Sequence, residues 1–165
     1  MTTPQEFLKE LTDESVVTRK MLERVPEEKY DWRPHEKSMT MKELAGHIAE
    51  LPSWISMAFT TDELDFQAAG YVPPALNNNQ DLHALFEKSF AGAKEKLESA
   101  KEEDLSPTWL LKNGEEILMS LTKGGLIRHA LSQTIHHRAQ LGVYLRLLDI
   151  PIPGTYGPSA DEPSF

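Results

Sequence analysis

The alternation of apolar and polar positions predicts four long helices. Apolar residues recur at helical spacing in four segments, 4–25, 41–58, 80–97 and 126–148. Pro4 suits the first turn of the first helix, and Thr40 with Glu43 matches a capping box at the start of the second. Pro52 is expected to bend the second helix or to end its first part. Helices should therefore supply most of the core.

The connections between these helices are long. The segment 60–79 is polar and rich in Gly, Pro and Asn, which predicts an extended connection. Asn113-Gly114 separates two short apolar runs and indicates a small β-hairpin or an extended excursion before the last helix. The sequence thus predicts an all-α, up-and-down four-helix bundle with long connections. Three residues of the proline-rich tail are expected to pack on its surface: Ile152, Tyr156 and Phe165.

Polar residues interrupt the apolar stripe of the last predicted helix. Gln133 and His137 lie one turn apart on this stripe, between Ala130 and Leu141. Burial of such groups without a partner costs about 2–7 kcal/mol in an apolar reference, so they are normally satisfied. Two explanations follow from the pattern: a hydrogen-bonded core network or a metal site.

His47 falls on the inward stripe of the second predicted helix. Two core-facing histidines on different helices, His47 and His137, can meet inside a bundle. A catalytic zinc-type site uses three protein ligands and leaves a position for water or substrate. Glu50, three residues after His47, is expected either as an exposed carboxylate or as a hydrogen-bond acceptor or general base beside the histidine.

Three neighbours of these residues have alternative roles. His129 lies one turn before Gln133 and would replace it as a ligand if the site shifted along the helix axis. Arg138 is expected to have a structural role, pairing with a carboxylate such as Glu43 or Glu50. Trp54 is expected to pack between helices, and the wall of a substrate cleft is the alternative.

Composition limits the classes of function. The 165 residues, 39% of them hydrophobic, suit one domain spanning 1–165. The net charge of −9 argues against nucleic-acid and anionic membrane partners. The absence of cysteine excludes disulfides and thiolate ligands, so a metal site needs His, carboxylate, amide or water ligands, which suit zinc, nickel or iron. With no long apolar run or signal segment, we expect a cytoplasmic protein.

Three segments resemble a known family. They are DWRPHEKSMTMKELAGHIAELPSW (31–54), HHRAQLGVYLRLL (136–148) and PIPGTYGPSADE (151–162). Over nearly its whole length the chain resembles the DinB-like bacterial four-helix proteins. The resemblance implies a dimeric bundle that binds a divalent metal through one histidine of the second helix and two of the fourth. His47 matches the first ligand and His137 the last, whereas the middle position holds Gln133, a weaker amide ligand.

The resemblance implies a function, and the residues leave alternatives to it. The first is a metal-dependent thiol transferase or isomerase that uses zinc or nickel to activate a low-molecular-weight thiol, or water, toward an electrophilic substrate. The second is a non-catalytic, dimeric stress-associated or binding protein in which His47, Gln133 and His137 form a hydrogen-bonded network. A metal-dependent hydrolase with Glu50 as the base is a third alternative.

Overall fold

Helices form most of the fold. The computed structural model describes residues 2–69 and 72–163. Short 3₁₀ turns lie at Glu27–Lys29 and Glu102–Leu105. The α-helices are α1 (Thr3–Leu22), α2 (Met41–Glu50), α3 (Pro52–Thr60), α4 (Phe66–Ala69), α5 (Asn79–Ser99) and α6 (Lys123–Leu147). All four segments with helical spacing are therefore helical, the second being divided into α2 and α3.

Local sequence signals account for the position of α2. The Thr40 hydroxyl accepts a hydrogen bond from the Glu43 backbone N–H (3.2 Å), and the Thr40 N–H donates to the Glu43 carboxylate (2.7 Å). The helix ends at Glu50, and Pro52 occupies the first position of α3, where its missing N–H costs nothing. The predicted capping box and the predicted break at Pro52 are both confirmed.

A small sheet accompanies the helices, so the fold is predominantly helical and the prediction of a purely α-helical protein is not confirmed. Strands β1 (Glu63–Asp65) and β2 (Thr108–Asn113) are parallel, and β2 is antiparallel to β3 (Glu116–Thr122). The predicted hairpin is confirmed, with Gly114 at φ +63° in its loop. β1 and α4 lie in the segment predicted as a plain connection. A three-residue strand is too short to show a period, and β2 supplies its hydrogen-bonding partner from a distant part of the chain.

The core consists of two apolar clusters with a polar layer between them. Along α1, Leu11 belongs to one cluster and Met21 to the other; along α6, Leu131 and Leu141 divide in the same way. The residues between them include the buried polar side chains of the described chain, which are Ser15, Thr18, Ser89, Thr134 and Arg138. Because buried polar groups need partners, this layer fixes how the helices align.

The tail after α6 folds back onto the helices. Ile152 packs against the core cluster that contains Leu141, as predicted. The ring of Tyr156 is largely exposed, but its hydroxyl reaches the polar layer. The third predicted tail contact, Phe165, lies outside the described residues. Within residues 2–69 and 72–163, no helix has the length and apolarity needed to cross a membrane.

Candidate functional site

His47 of α2 and His137 of α6 lie in contact. Their ring centroids are 4.7 Å apart and their planes are inclined at 73°. Both side chains are half-buried, at the level of the polar layer. His136, which the helical period directs away from the site, is exposed, and its ring lies 4.9 Å from that of His137. The structure thus brings two of the predicted ligand residues together.

Each of the two histidines has an oxygen acceptor at Nδ1. Nδ1 of His47 lies 2.9 Å from Oε1 of Glu50, and Nδ1 of His137 lies 2.7 Å from Oε1 of Gln140. A carboxylate and an amide oxygen only accept hydrogen bonds, so both Nδ1 atoms carry the proton. In the neutral rings the Nε2 lone pairs are then available to a ligand or a proton. Gln140 lies on the same helix as His137 and orients its ring.

Burial favours the neutral form of His137. Removal of the ring from water lowers its pKa, and the neighbouring His47 and His136 lower it further, while the hydrogen bond to Gln140 opposes this shift. The ring is therefore uncharged at neutral pH, which is the form that binds metals and accepts protons.

Gln133 is not bonded to this histidine pair. Its Nε2 lies 3.4 Å from Nε2 of His129, one turn earlier on α6. The proposed network of His47, Gln133 and His137 therefore does not form as predicted, since each of the three has its hydrogen bond with another residue. Among residues 2–69 and 72–163, no group of three or more His, Asp or Glu side chains is arranged to hold a metal ion.

The buried polar face of α6 differs from the predicted stripe. Thr134 and Arg138 are buried, whereas Gln133 and His137 are half-buried at the edge of the interface. The two pairs differ by one position, a rotation of about 100° on a helix, and a period of 3.6 residues places both close to one stripe. The packing of α6 against α1, α2 and α3 decides which pair points inward.

Arg138 pairs with Glu14 of α1, so the prediction of Glu43 or Glu50 as its partner is wrong. Nη2 of Arg138 lies 2.6 Å from Oε2 of Glu14, and Nη1 donates to the Thr18 hydroxyl at 3.1 Å. The Tyr156 hydroxyl accepts from Arg138 and donates to Glu14, both at 2.7 Å. Arg138 thus has the expected structural role, and it joins α1, α6 and the tail.

A cavity of about 630 Å³ adjoins His47. Glu43, Gly46, His47 and Glu50 line it from α2, at spacings of three, four and seven residues that fall on one helix face. Trp54 of α3 forms part of its wall, so this tryptophan both packs between elements and faces a cleft. His47 is therefore accessible to a small molecule from the α2 side.

The match to a family model covers nearly the whole chain. The model is described as the DinB family, and residues 1–164 match it. The chain belongs to the DinB family. The resemblance seen in the three sequence segments is thereby confirmed.

Two individual proteins agree with this assignment. The Bacillus subtilis protein named uncharacterized protein YrdA is 24% identical over 156 residues, which cover 94% of this chain and 89% of YrdA. The crystal structure of a DinB-like protein from Bacillus cereus matches with a TM-score of 0.70 at 21% identity, over 92% of this chain and 97% of that one. The structural similarity shows a common fold.

A named enzyme shares the fold. The crystal structure of the mycothiol-dependent maleylpyruvate isomerase matches with a TM-score of 0.59 at 19% identity, over 86% of this chain and 64% of that one. At this identity the similarity concerns the fold and leaves the reaction of the present chain open.

The sequence predicted one of the two hydrogen-bond acceptors of the histidine pair, Glu50, and not the other, Gln140. Glu50 is a half-buried partner of His47, which corresponds to one of its two predicted roles and not to the exposed carboxylate. Gln140 was not expected at His137, although its spacing of three residues on one helix already permits the contact. The same spacing links Glu50 to His47, and this i, i+3 relation is the signal that finds both acceptors.

Proposed function

We propose that this protein is a metal-dependent enzyme that activates a low-molecular-weight thiol, or water, at His47 and His137. One observation carries the proposal: the two rings touch, and each has its Nδ1 hydrogen-bonded to an oxygen acceptor. Histidines that ligate metals typically have this arrangement, in which the acceptor fixes the tautomer and the ring orientation. Neutral His137 adds to the same argument.

Two imidazoles in contact suit a divalent metal of the zinc or nickel type as part of its ligand set. His47 and His137 would hold it through Nε2, and the amide of Gln133 would have to turn from His129 for its oxygen to become the third protein ligand. When bound, such an ion lowers the pKa of a thiol or water molecule in its open position. The chain itself contains no cysteine, so the thiol has to be a co-substrate.

The other residues of the site have roles in binding and proton transfer. Glu50 accepts a hydrogen bond from His47 and lines the cavity, and in this proposal it would receive a proton from an incoming thiol or water. The cavity would hold the electrophilic substrate beside the histidines. A homodimer in the cytoplasm is part of the same proposal, and the printed name of the mycothiol-dependent isomerase with the same fold supports a thiol co-substrate.

Metal analysis tests the proposal directly. Protein purified without a histidine tag should contain, or take up, about one zinc or nickel ion per chain, as measured by elemental analysis and calorimetry. His47→Ala and His137→Ala should each abolish this uptake. His83→Ala, at a histidine of α5 outside the site, serves as the control and should bind as the wild type does. Absence of uptake from zinc, nickel and manganese would disprove the metal site.

Activity is tested separately with the loaded protein. A panel of low-molecular-weight thiols is combined with electrophilic acceptors, and the loss of free thiol is followed over time. We expect turnover that requires both the metal and His137. If the protein takes up metal but converts no thiol, the metal site is supported and the transferase activity is disproved.

A second candidate is a non-catalytic binding protein. The observation in its favour is the contact of Gln133 with His129, which directs the amide away from the third ligand position. In this case the cavity binds a small molecule without converting it. Ligand binding by metal-free protein, together with absence of metal uptake, would favour this candidate over the enzyme.

A further inference from the structure

The cavity beside His47 is lined by charged side chains of both signs. Three cationic side chains line it, Arg33 and Lys37 from the loop before α2 and Lys42 from α2 itself. Within the described part of the chain, none of the three forms an ion pair. Three carboxylates, Glu36, Glu43 and Glu50, line the same cavity, and the charges of Arg33 and Lys42 contribute to a lowered pKa of Glu43.

Two of the three carboxylates in the same lining already have partners. Oε2 of Glu43 accepts the Thr40 N–H at 2.7 Å, and this hydrogen bond is the largest cause of its lowered pKa. Oε1 of Glu50 accepts from His47. The third carboxylate, Glu36, is exposed on the loop. No carboxylate of the described residues lies within salt-bridge distance of the three cations, so an anion that enters from solvent can contact them directly.

The remaining walls are apolar. Trp54, Pro73 and Pro74 line the cavity together with Met39 and Phe66, which are 42% and 36% exposed. Gly46 and the buried Leu76 also line it and pack closely, since a Cβ on Gly46 would lie 2.9 Å from a terminal methyl of Leu76. These surfaces are accessible to a ligand, and covering them removes apolar area from water.

We infer that the cavity binds a small organic acid with an apolar body. Its carboxylate pairs with Arg33 and Lys42, and its apolar part lies against Trp54 and Phe66, beside His47. The cationic side chains match the carboxylate of such a ligand, and the apolar walls match its apolar body. This inference rests on the proposed function, because it assumes that the electrophilic substrate binds in this cavity.

Calorimetry with a matched pair of probes tests the inference. Phenylbutyrate carries the carboxylate and the apolar body, and phenylbutyramide is its neutral analogue. Phenylbutyrate should bind more tightly, and its binding should weaken as salt rises because the cations are partly exposed. Binding should also change the fluorescence of Trp54, and this change should be absent in Trp54→Phe. Equal binding of the two probes, or binding of neither, would overturn the inference.

Cation variants provide the second measurement. Arg33→Met and Lys42→Met should each weaken phenylbutyrate binding about three- to tenfold and leave phenylbutyramide unaffected. Lys20→Met, on α1 outside the cavity, is the matched control and should change neither. All three positions are solvent-accessible, and circular dichroism verifies folding. Unchanged phenylbutyrate binding in Arg33→Met and Lys42→Met would contradict the inference.

Metal-free and metal-loaded protein are titrated in parallel. Phenylbutyrate binding to the metal-free protein depends on the cavity alone, and metal uptake depends on the histidines alone. Acid binding without metal uptake would disprove the metal-dependent function and retain the pocket. Metal uptake without acid binding would retain the metal site and disprove the pocket.

Discussion

The amide nitrogen of Gln133 contacts Nε2 of His129, 3.4 Å away and one turn earlier on α6. The next turn in the other direction carries His137, which is in contact with His47. Gln133 therefore lies on α6 between His129 and His137. A histidine at position 133 would add a third imidazole next to the pair formed by His47 and His137.

Gln133→His should strengthen metal binding. The substitution places two histidines four residues apart on α6 facing His47, and imidazole is a better ligand than an amide for zinc or nickel. We expect a metal dissociation constant lower by about tenfold or more, measured by competition with a chelating dye. His129→Ala, which leaves Gln133 in place, should not produce this gain. An unchanged dissociation constant in Gln133→His would show that position 133 does not face the ion.

Glu50→Ala should weaken metal binding. Removal of the carboxylate leaves Nδ1 of His47 without the acceptor that fixes its tautomer and orientation. Loss of such a partner typically lowers metal affinity about 10–100-fold. Glu50→Gln keeps an oxygen acceptor and should lose less, while Glu36→Ala removes a carboxylate of the same cavity that does not contact His47. Equal losses in Glu50→Ala and Glu36→Ala would indicate a general effect of charge.

Arg138→Met should destabilise the fold strongly. The side chain of Arg138 is 3% exposed and that of Glu14 is 12% exposed, so the change leaves a buried carboxylate without its cation. Breaking one partner of a buried pair costs about 3–5 kcal/mol in the free energy of unfolding. Arg146→Met, at an ion pair whose arginine is 48% exposed, should cost far less, because water and salt screen an exposed pair. Urea denaturation measures both, and similar costs would contradict a special role of the buried pair.

Asp161 should make the stability of the tail depend on pH. Its carboxylate accepts from Arg146 at 2.6 Å and from the Ile152 N–H at 2.9 Å, and these bonds, the arginine first, hold its pKa below the ordinary value. A lowered folded-state pKa gives stability that is complete above the unfolded pKa, about 3.9 for Asp, and is lost as pH falls through the folded pKa.

The stability difference between wild type and Asp161→Asn measures this effect. Urea denaturation should show the wild type more stable at pH 6, with the difference shrinking below about pH 4. Asp31→Asn, at an exposed carboxylate outside the tail, serves as the control. A difference that is constant between pH 6 and pH 3 would assign the effect to something other than the charge of Asp161.

The sequence determined most of the secondary structure and part of the site. Helical periods, the capping box at Thr40 and the proline at position 52 are local features, and local backbone chemistry fixes helix ends. Asn113-Gly114 marked the hairpin because glycine readily adopts a positive φ. The same local patterns placed His47 and His137 on the second and fourth predicted helices and carried the resemblance to the DinB family.

Tertiary structure decided which side chains face one another. Helical periodicity does not distinguish Gln133 from Thr134, or His137 from Arg138, because adjacent positions share the margin of one stripe. The packing of α6 makes that choice and buries Thr134 and Arg138. The partner of Arg138 is more than a hundred residues away in sequence, and the strand partner of β1 is 47 residues away. Such pairings depend on how distant elements meet, which no local pattern encodes.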